Sequence, residues 1–222
     1  MRNEQAISLY KEFGYRAHPY VSNSDLTNLF KQTALADQVN DLTRAFRMGN
    51  LIDAWITRGE SINTIRHAVD GESFTDEEWE IGKQSKRAFY NDDLCRMIAS
   101  QGMFQKAFFG QREHQMPALS DTYMQGRKCL YDIWLPYHRW GCDIKSTTAK
   151  TLDQFKAQFD YLHYDRSRYW YMDITGSNED LVIGISKINF QIFKIYIQRG
   201  DDIFNSGRTK AEELAYKFYM LK

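Results

Sequence analysis

Residues 128–145, KCLYDIWLPYHRWGCDIK, read as two β-strands joined by a polar turn that contains Pro136. Side chains alternate across a strand, so Asp143 and Lys145 point one way and Ile144 the other. On the preceding strand Leu130, Asp132 and Trp134 share a face. Pairing close to the turn brings Asp132 near Asp143. Two carboxylates at that distance repel unless one takes a proton or a cation sits between them. A hard divalent cation such as Mg²⁺ prefers oxygen ligands and resolves the clash. Hydrolysis of a phosphodiester needs a nucleophilic water and relief of charge on the phosphate, and a carboxylate-held metal serves both. A lysine alongside either stabilises the pentavalent charge or orients the water. Asp-X-Lys is a short pattern, and a solvated ion pair on a strand produces it too.

Outward from this hairpin, the first hundred residues read as helices. NEQAISLYKEF is amphipathic and ends at Gly14; Ser22 or Ser24 caps a helix through SDLTNLFKQ. In DLTRAFRMGNLIDAWI, Leu42, Phe46, Leu51 and Trp55 recur at helical spacing. DEEWEIGKQSKRAFY places acids first and bases later, as the helix dipole prefers, and DDLCRMIA makes a short helix. Strand character begins in FQKAFFGQREHQ, whose alternation is imperfect. After the hairpin come two helices (149–161 and 164–172), the strands LVIGISKI and FQIFKIYI, and a closing helix RTKAEELAYKFYML. This order predicts an α/β fold, a mixed central sheet flanked by helices. A single domain over 1–222 is expected, with a mainly helical part, 1–102, carrying Asp53, and a sheet core, 103–222.

The chain has 222 residues, 43% hydrophobic and 15% aromatic, with 3 prolines, which suits a globular core. There is no apolar run of about 18 residues, so no membrane span is expected. The start, MRNEQAISLY, has no apolar h-region, so no signal peptide is expected and the cytoplasm is the expected location. Cys95, Cys129 and Cys142 are odd in number and lack CxxC spacing, which fits buried free thiols in a reducing compartment. Cys129 and Cys142 are alternatively neighbours across the hairpin. The 29 basic and 29 acidic residues cancel, so the overall basic balance usual for nucleic-acid binders is missing. A local basic groove beside an acidic site would still serve.

Taken together, these motifs resemble the PD-(D/E)XK nuclease superfamily, with its restriction-endonuclease-like core. Within it the chain is most similar to phage and prophage exonucleases of the exonuclease VIII (RecE-like) group, which share a module with RecB-type nucleases. VSNSDL looks like the family's serine-rich helix start. Gly49-Asn50-Leu51-Ile52-Asp53 stands where the family has Gly-X-X-X-His, with Asp53 in the place of the metal-binding histidine. Asp132 and Asp143-Ile144-Lys145, followed by Ser146-Thr147-Thr148, look like the motif strands and the DxKTT run. YDRSRYWY supplies Tyr164, Asp165, Arg166 and Tyr171 of a Tyr-Asp-Arg-Gln…Tyr pattern, with Ser167 in place of glutamine. ISKI, FKIYI and RTKAEELAYKF are similar to the family's tail, so the likeness runs from Val21 to the end.

The resemblance implies a divalent-metal-dependent deoxyribonuclease. It implies Mg²⁺, with Mn²⁺ able to substitute, held by Asp132, Asp143 and the Ile144 backbone carbonyl, with Asp53 as a further ligand. Lys145 would assist the attacking water. Linear duplex DNA is the implied substrate and phage or prophage recombination the implied setting. A single-strand annealing protein and copies of the same chain are the implied partners.

Each assignment has a plainer counterpart. Asp53 is either a ligand or a partly buried helix residue needing a partner. Arg166 either touches a DNA phosphate or faces solvent. Thr147 and Thr148 either bind a phosphate or cap the next helix. Tyr171 contacts DNA or belongs to the core. Glu113 is a weaker candidate for completing the metal shell. Tyr161, Tyr164, Tyr169, Trp170 and Tyr171 either stack on bases or fill the core. The five histidines show no metal spacing. Rival readings are a Cas4-like or restriction-type nuclease, which the absence of a four-cysteine set disfavours in its iron–sulfur form, and an inactive DNA-binding protein on the same fold.

Overall fold

The computed structural model describes residues 14–33, 42–57, 73–115 and 122–221, with side chains from residue 47 onward in the second stretch. The helix expected over 3–13 lies outside the described residues. After a helical turn at 14–17 come α1 (Asn23–Thr33), α2 (Leu42–Thr57), α3 (Asp76–Asn91) and α4 (Asp93–Gln101). Strands β1 (Met103–Gln115), β2 (Thr122–Leu135) and β3 (Trp140–Thr147) follow, then α5 (Leu152–Tyr161) and α6 (Tyr164–Thr175). Strands β4 (Glu179–Ser186) and β5 (Ile192–Gln198) and helix α7 (Asp202–Met220) complete the described chain.

Local chemistry sets most boundaries. Ser22 opens α1: its hydroxyl accepts from the Asp25 N–H (3.3 Å) while the Asp25 carboxylate accepts from the Ser22 N–H (2.8 Å). Thr75 and Glu78 form the same reciprocal box at α3. Asp201 caps α7 by accepting from the Phe204 N–H (2.7 Å), so this helix begins at Asp202 rather than near Arg208. β2 begins at Thr122, earlier than its apolar run suggests, because it pairs with β1 back to Gln115.

The strands lie in the order β1-β2-β3-β4-β5. Neighbours are antiparallel except β3 and β4, which are parallel. A parallel step needs a crossover, and α5 and α6 provide it. The result is the mixed sheet flanked by helices that the order of elements predicts. On one face α2, α3 and α4 bury Leu51, Ile52, Phe89 and Ile98 against Ile133, Ile144, Leu181 and Ile183. On the other, α1, α5, α6 and α7 bury Leu26, Phe155, Trp170 and Ala211 against Val182, Phe193 and Ile195. β4 is buried from Asp180 to Ser186, as its unbroken apolar run requires of a strand covered on both faces. Gly184 is needed there, because a Cβ would stand 2.5 Å from the Phe155 ring.

All three cysteines are buried free thiols. Cys142 lies opposite Ile133 and Cys129 opposite Phe108, so the two are not cross-strand neighbours. Among the described residues no helix is long and apolar enough to cross a membrane.

Candidate functional site

The site lies where β2 and β3 part. Ile133, Trp134 and Leu135 pair with Cys142, Gly141 and Trp140 beside the turn, and the ladder then stops. The next pair in register is Asp132 and Asp143. The Asp132 Oδ2 takes the ladder's place by accepting from the Ile144 N–H at 2.7 Å. On its other side, Phe104↔Ile133 and Lys106↔Tyr131 pair with β1, but Gln105 and Asp132 between them do not. Gln105 has φ 51°, a left-handed backbone inside a strand. In a regular strand Tyr131 and Ile133 would share a face. Here Ile133 joins the core under α2, whereas Tyr131 packs with Trp134 and Tyr171 on the α6 side. The change of face falls at Asp132.

Five elements, α2, β1, β2, β3 and α6, bring their side chains to this gap. Gln105 Nε2 donates to Asp53 Oδ1 and Oδ2 of α2, each at 3.2 Å, and lies 3.4 Å from Asp132 Oδ1. Asp53 and Asp132 therefore converge on one amide nitrogen. On β3, Lys145 Nζ is ion-paired with Asp143 Oδ2, and Arg168 of α6 reaches Asp143 Oδ1 at 3.2 Å. Arg168 also approaches Asp180 Oδ1 (3.5 Å), whose other oxygen accepts from the Tyr131 hydroxyl (2.9 Å). Its guanidinium stacks 4.2 Å from the Tyr171 ring centroid, and Lys145 Nζ lies 5.2 Å from that of Tyr164. Gly141 makes room for this network, since a Cβ there would meet the Tyr131 ring at 2.3 Å.

The electrostatics follow from burial and these neighbours. Burial, reinforced by the charges of Asp143 and Asp53, holds the Asp132 carboxyl well above the usual range, against the pull of Lys145 and the Ile144 N–H. Burial also opposes charge on Asp143, but Arg168 and Lys145 outweigh it and keep that carboxyl low. Lys145 loses hydration, yet Asp143, Tyr164 and Asp132 hold its ammonium above the ordinary lysine value. Burial pushes Asp180 up to about 7 despite Arg168 and Tyr131.

Among the described residues, no three His, Cys, Asp or Glu side chains close around a metal position. The physical reason is visible. The Gln105 amide stands between Asp53 and Asp132, and Lys145 and Arg168 engage both oxygens of Asp143. The donors are all oxygens and the carboxylates strain one another, so in chemistry they fit a hard divalent cation. Closing on one requires the amide and the ammonium to give way.

The other expected site residues are differently engaged. Thr147 is buried, its hydroxyl bonded to Gln158 and accepting from the Ala149 N–H (3.0 Å). Thr148 is exposed and accepts from Gln158 Nε2 (3.3 Å). Arg166 is buried and holds α1 through Asn23 Oδ1 (3.0 Å) and Thr27 Oγ1 (2.6 Å). Tyr171 is half-buried against Arg168 and Tyr131. Glu113 pairs with Met124, at the end of β2 remote from Asp132, and accepts from the Thr122 hydroxyl. Ser167 accepts from Arg168 Nε (3.2 Å), so the neighbouring arginine makes the contact to the motif strand.

Gln105, Arg168 and Asp180 were not singled out from the sequence. The imperfect alternation of FQKAFF marks Gln105. α6, buried from Asp165 to Trp170, carries charges that must find partners inside, which marks Arg168.

No family model and no curated protein matches this chain. Eleven chains of solved structures do. One is a phage-related exonuclease from Haemophilus somnus 129PT, at 12% identity and TM-score 0.42, covering 87% of this chain and 92% of that one. Another is the protein named SSO0001, at 11% identity and TM-score 0.40, covering 89% of this chain and 84% of that one.

Proposed function

We propose that the protein is a divalent-metal-dependent deoxyribonuclease of the PD-(D/E)XK type, acting as an exonuclease on linear duplex DNA. The observation that carries this reading is the break between β2 and β3. There Asp132 faces Asp143, Asp53 shares an amide with Asp132, and Lys145 stands against Asp143.

Asp53, Asp132, Asp143 and the Ile144 carbonyl would hold Mg²⁺, with Mn²⁺ able to replace it. The bound ion would supply positive charge to the phosphate oxygens and acidify a water. Asp132 is oriented for this by the Ile144 N–H, and Asp143 by Arg168. Lys145, paired with Asp143, would orient the attacking water or meet negative charge on the phosphate. In this reading the DNA end enters beside exposed Thr148. The cytoplasm of a phage or prophage host, a single-strand annealing partner and self-association complete it.

One observation favours a second reading, a DNA-binding protein without turnover: the cations of Lys145 and Arg168 already pair with Asp143. Incubation with linear and circular duplex DNA, with Mg²⁺ or with EDTA, separates the readings. Degradation of linear DNA alone, abolished by EDTA and by Lys145→Ala, is expected. Nicking of circles would instead indicate an endonuclease, and binding without cleavage would remove the enzymatic reading.

A further inference from the structure

Gln105 combines three features seldom found together. It is a non-glycine residue with φ 51° in the interior of a strand. Its neighbours on both sides are paired with β2 while it is not. Its amide nitrogen sits 3.2 Å from both oxygens of Asp53 and 3.4 Å from an oxygen of Asp132. A strained backbone of this kind persists where surrounding groups over-determine it, and such residues cluster at functional sites. Here the amide fixed between two acids does the holding.

We propose, on the metal-dependent reading above, that Gln105 is itself a ligand of the cation, its amide turning over to present Oε1 where Nε2 stands. In an octahedral shell with bonds of about 2.1 Å, adjacent ligands are about 3.0 Å apart; at about 2.4 Å, the shorter Ca²⁺ range, they are about 3.4 Å apart. The amide is thus already at the spacing of an adjacent ligand from both acids. Its oxygen and nitrogen are nearly equal in size, so the exchange needs only rotation about the last side-chain bond. With the cation bound, the oxygen faces it. Without it, the N–H groups bridge two carboxylates that would otherwise repel. A glutamine performs both tasks and adds no charge to a cleft that already holds Asp53, Asp132 and Asp143. A glutamate would lack the bridging donor.

The test is Mn²⁺ binding to the full chain, followed by electron paramagnetic resonance and without DNA, in the wild type and in Asp132→Asn, Gln105→Ala, Gln105→Gly and Gln105→Glu. Loss of affinity by about tenfold or more is expected in Gln105→Ala and Gln105→Gly. Gln105→Glu is expected to bind at least as tightly as the wild type. Glycine adopts this φ freely but loses the bridge, so in Gln105→Gly the metal-free unfolding temperature reports the bridge and the Mn²⁺ affinity reports the ligand, free of backbone strain. A merely structural bridge would weaken Mn²⁺ binding in Gln105→Glu as well, since glutamate lacks the bridging donor. Unchanged affinity in both the alanine and glycine variants, with binding abolished by Asp132→Asn, would overturn the Gln105 assignment and leave the metal site standing. Absence of any Asp132-dependent Mn²⁺ binding would overturn both.

Discussion

Two ionic clusters tie α6 to the sheet, and they are built on opposite principles. Beside the paired stretch of β1 and β2, Arg112 contacts Asp173 (2.8 Å) and Glu212 (3.1 Å), and Arg127 contacts the same Asp173 (2.6 Å). Two guanidinium groups, with the exposed Arg208 as a third on Glu212, meet two carboxylates over an intact ladder. At the break between β2 and β3, among the described residues, Asp132, Asp143 and Asp180 gather around Lys145 and Arg168. Burying unlike charges in matched pairs fastens helix to sheet, although a hydrophobic contact can often do as well. Burying a surplus of one sign raises the energy of the folded chain and is retained where a ligand of the opposite sign relieves it. The difference in charge count, more than the presence of charges, separates the structural cluster from the candidate site.

The largest expected effect breaks the comparison at the cleft. Asp132→Asn and Lys145→Ala should each lower cleavage of linear duplex DNA by a factor on the order of 10² or more. Asp132→Asn should leave the metal-free protein as stable as before or more so, because it removes a repelled carboxylate. Rates with Mg²⁺ and thermal unfolding with EDTA check the two halves. Wild-type cleavage by both variants would make the surplus charge a structural accident.

Arg168 is the counter-ion of the cleft and is only 1% exposed. Arg168→Met leaves Asp143 and Asp180 buried without it and should cost about 3–5 kcal/mol. In a chain of this size that lowers the midpoint by roughly 6–20 °C. At the matched cluster, Arg127→Met leaves Asp173 its contact with Arg112, so about 1–3 kcal/mol is expected, with cleavage per folded molecule unchanged. Equal losses from the two substitutions would erase the distinction.

The matched cluster also carries a pH signature. Burial, then the charges of Arg127 and Arg112, lower His114 from its ordinary value to about 4. The unfolded chain therefore binds this proton first as pH falls. His114's contribution is fully present above about pH 6.5 and is lost as pH falls through about 4, a change on the order of 1–3 kcal/mol. Urea unfolding between pH 7 and 4 should show this decline, and His114→Gln should flatten it. The smallest effect is at the rim, where Arg208 is 54% exposed and pairs with Glu212 one helical turn away. Arg208→Ala should change stability by no more than about 0.5 kcal/mol.

Much of the fold was legible because it rests on local rules. Alternation in 128–145 predicted the hairpin, and the β-branched run in LVIGIS predicted a strand. That Asp143 and Lys145 share a face was legible because side chains alternate with a period of two, whereas the expected shared face of Leu130, Asp132 and Trp134 fails because the strand changes face at Asp132. Boundaries that depend on one cap or on a distant partner were less so: Asp201 moved the start of α7, and Gln115 moved the start of β2. Arg166, Thr147 and Tyr171 show the other limit. Their residue types suit a phosphate or a base, but burial turned them toward Asn23 and Thr27, Gln158, and Arg168.

By itself, the sequence determined the helices, the strands, the hairpin and the side of β3 on which Asp143 and Lys145 stand, since these follow from periodicity and capping over a few residues. Only the tertiary structure decided that Gln105 would come between Asp53 and Asp132, and that Arg168 would reach Asp143. Those contacts join residues far apart in the chain. They exist because helices packed on both faces of the sheet bring their charges to the place where β2 and β3 separate.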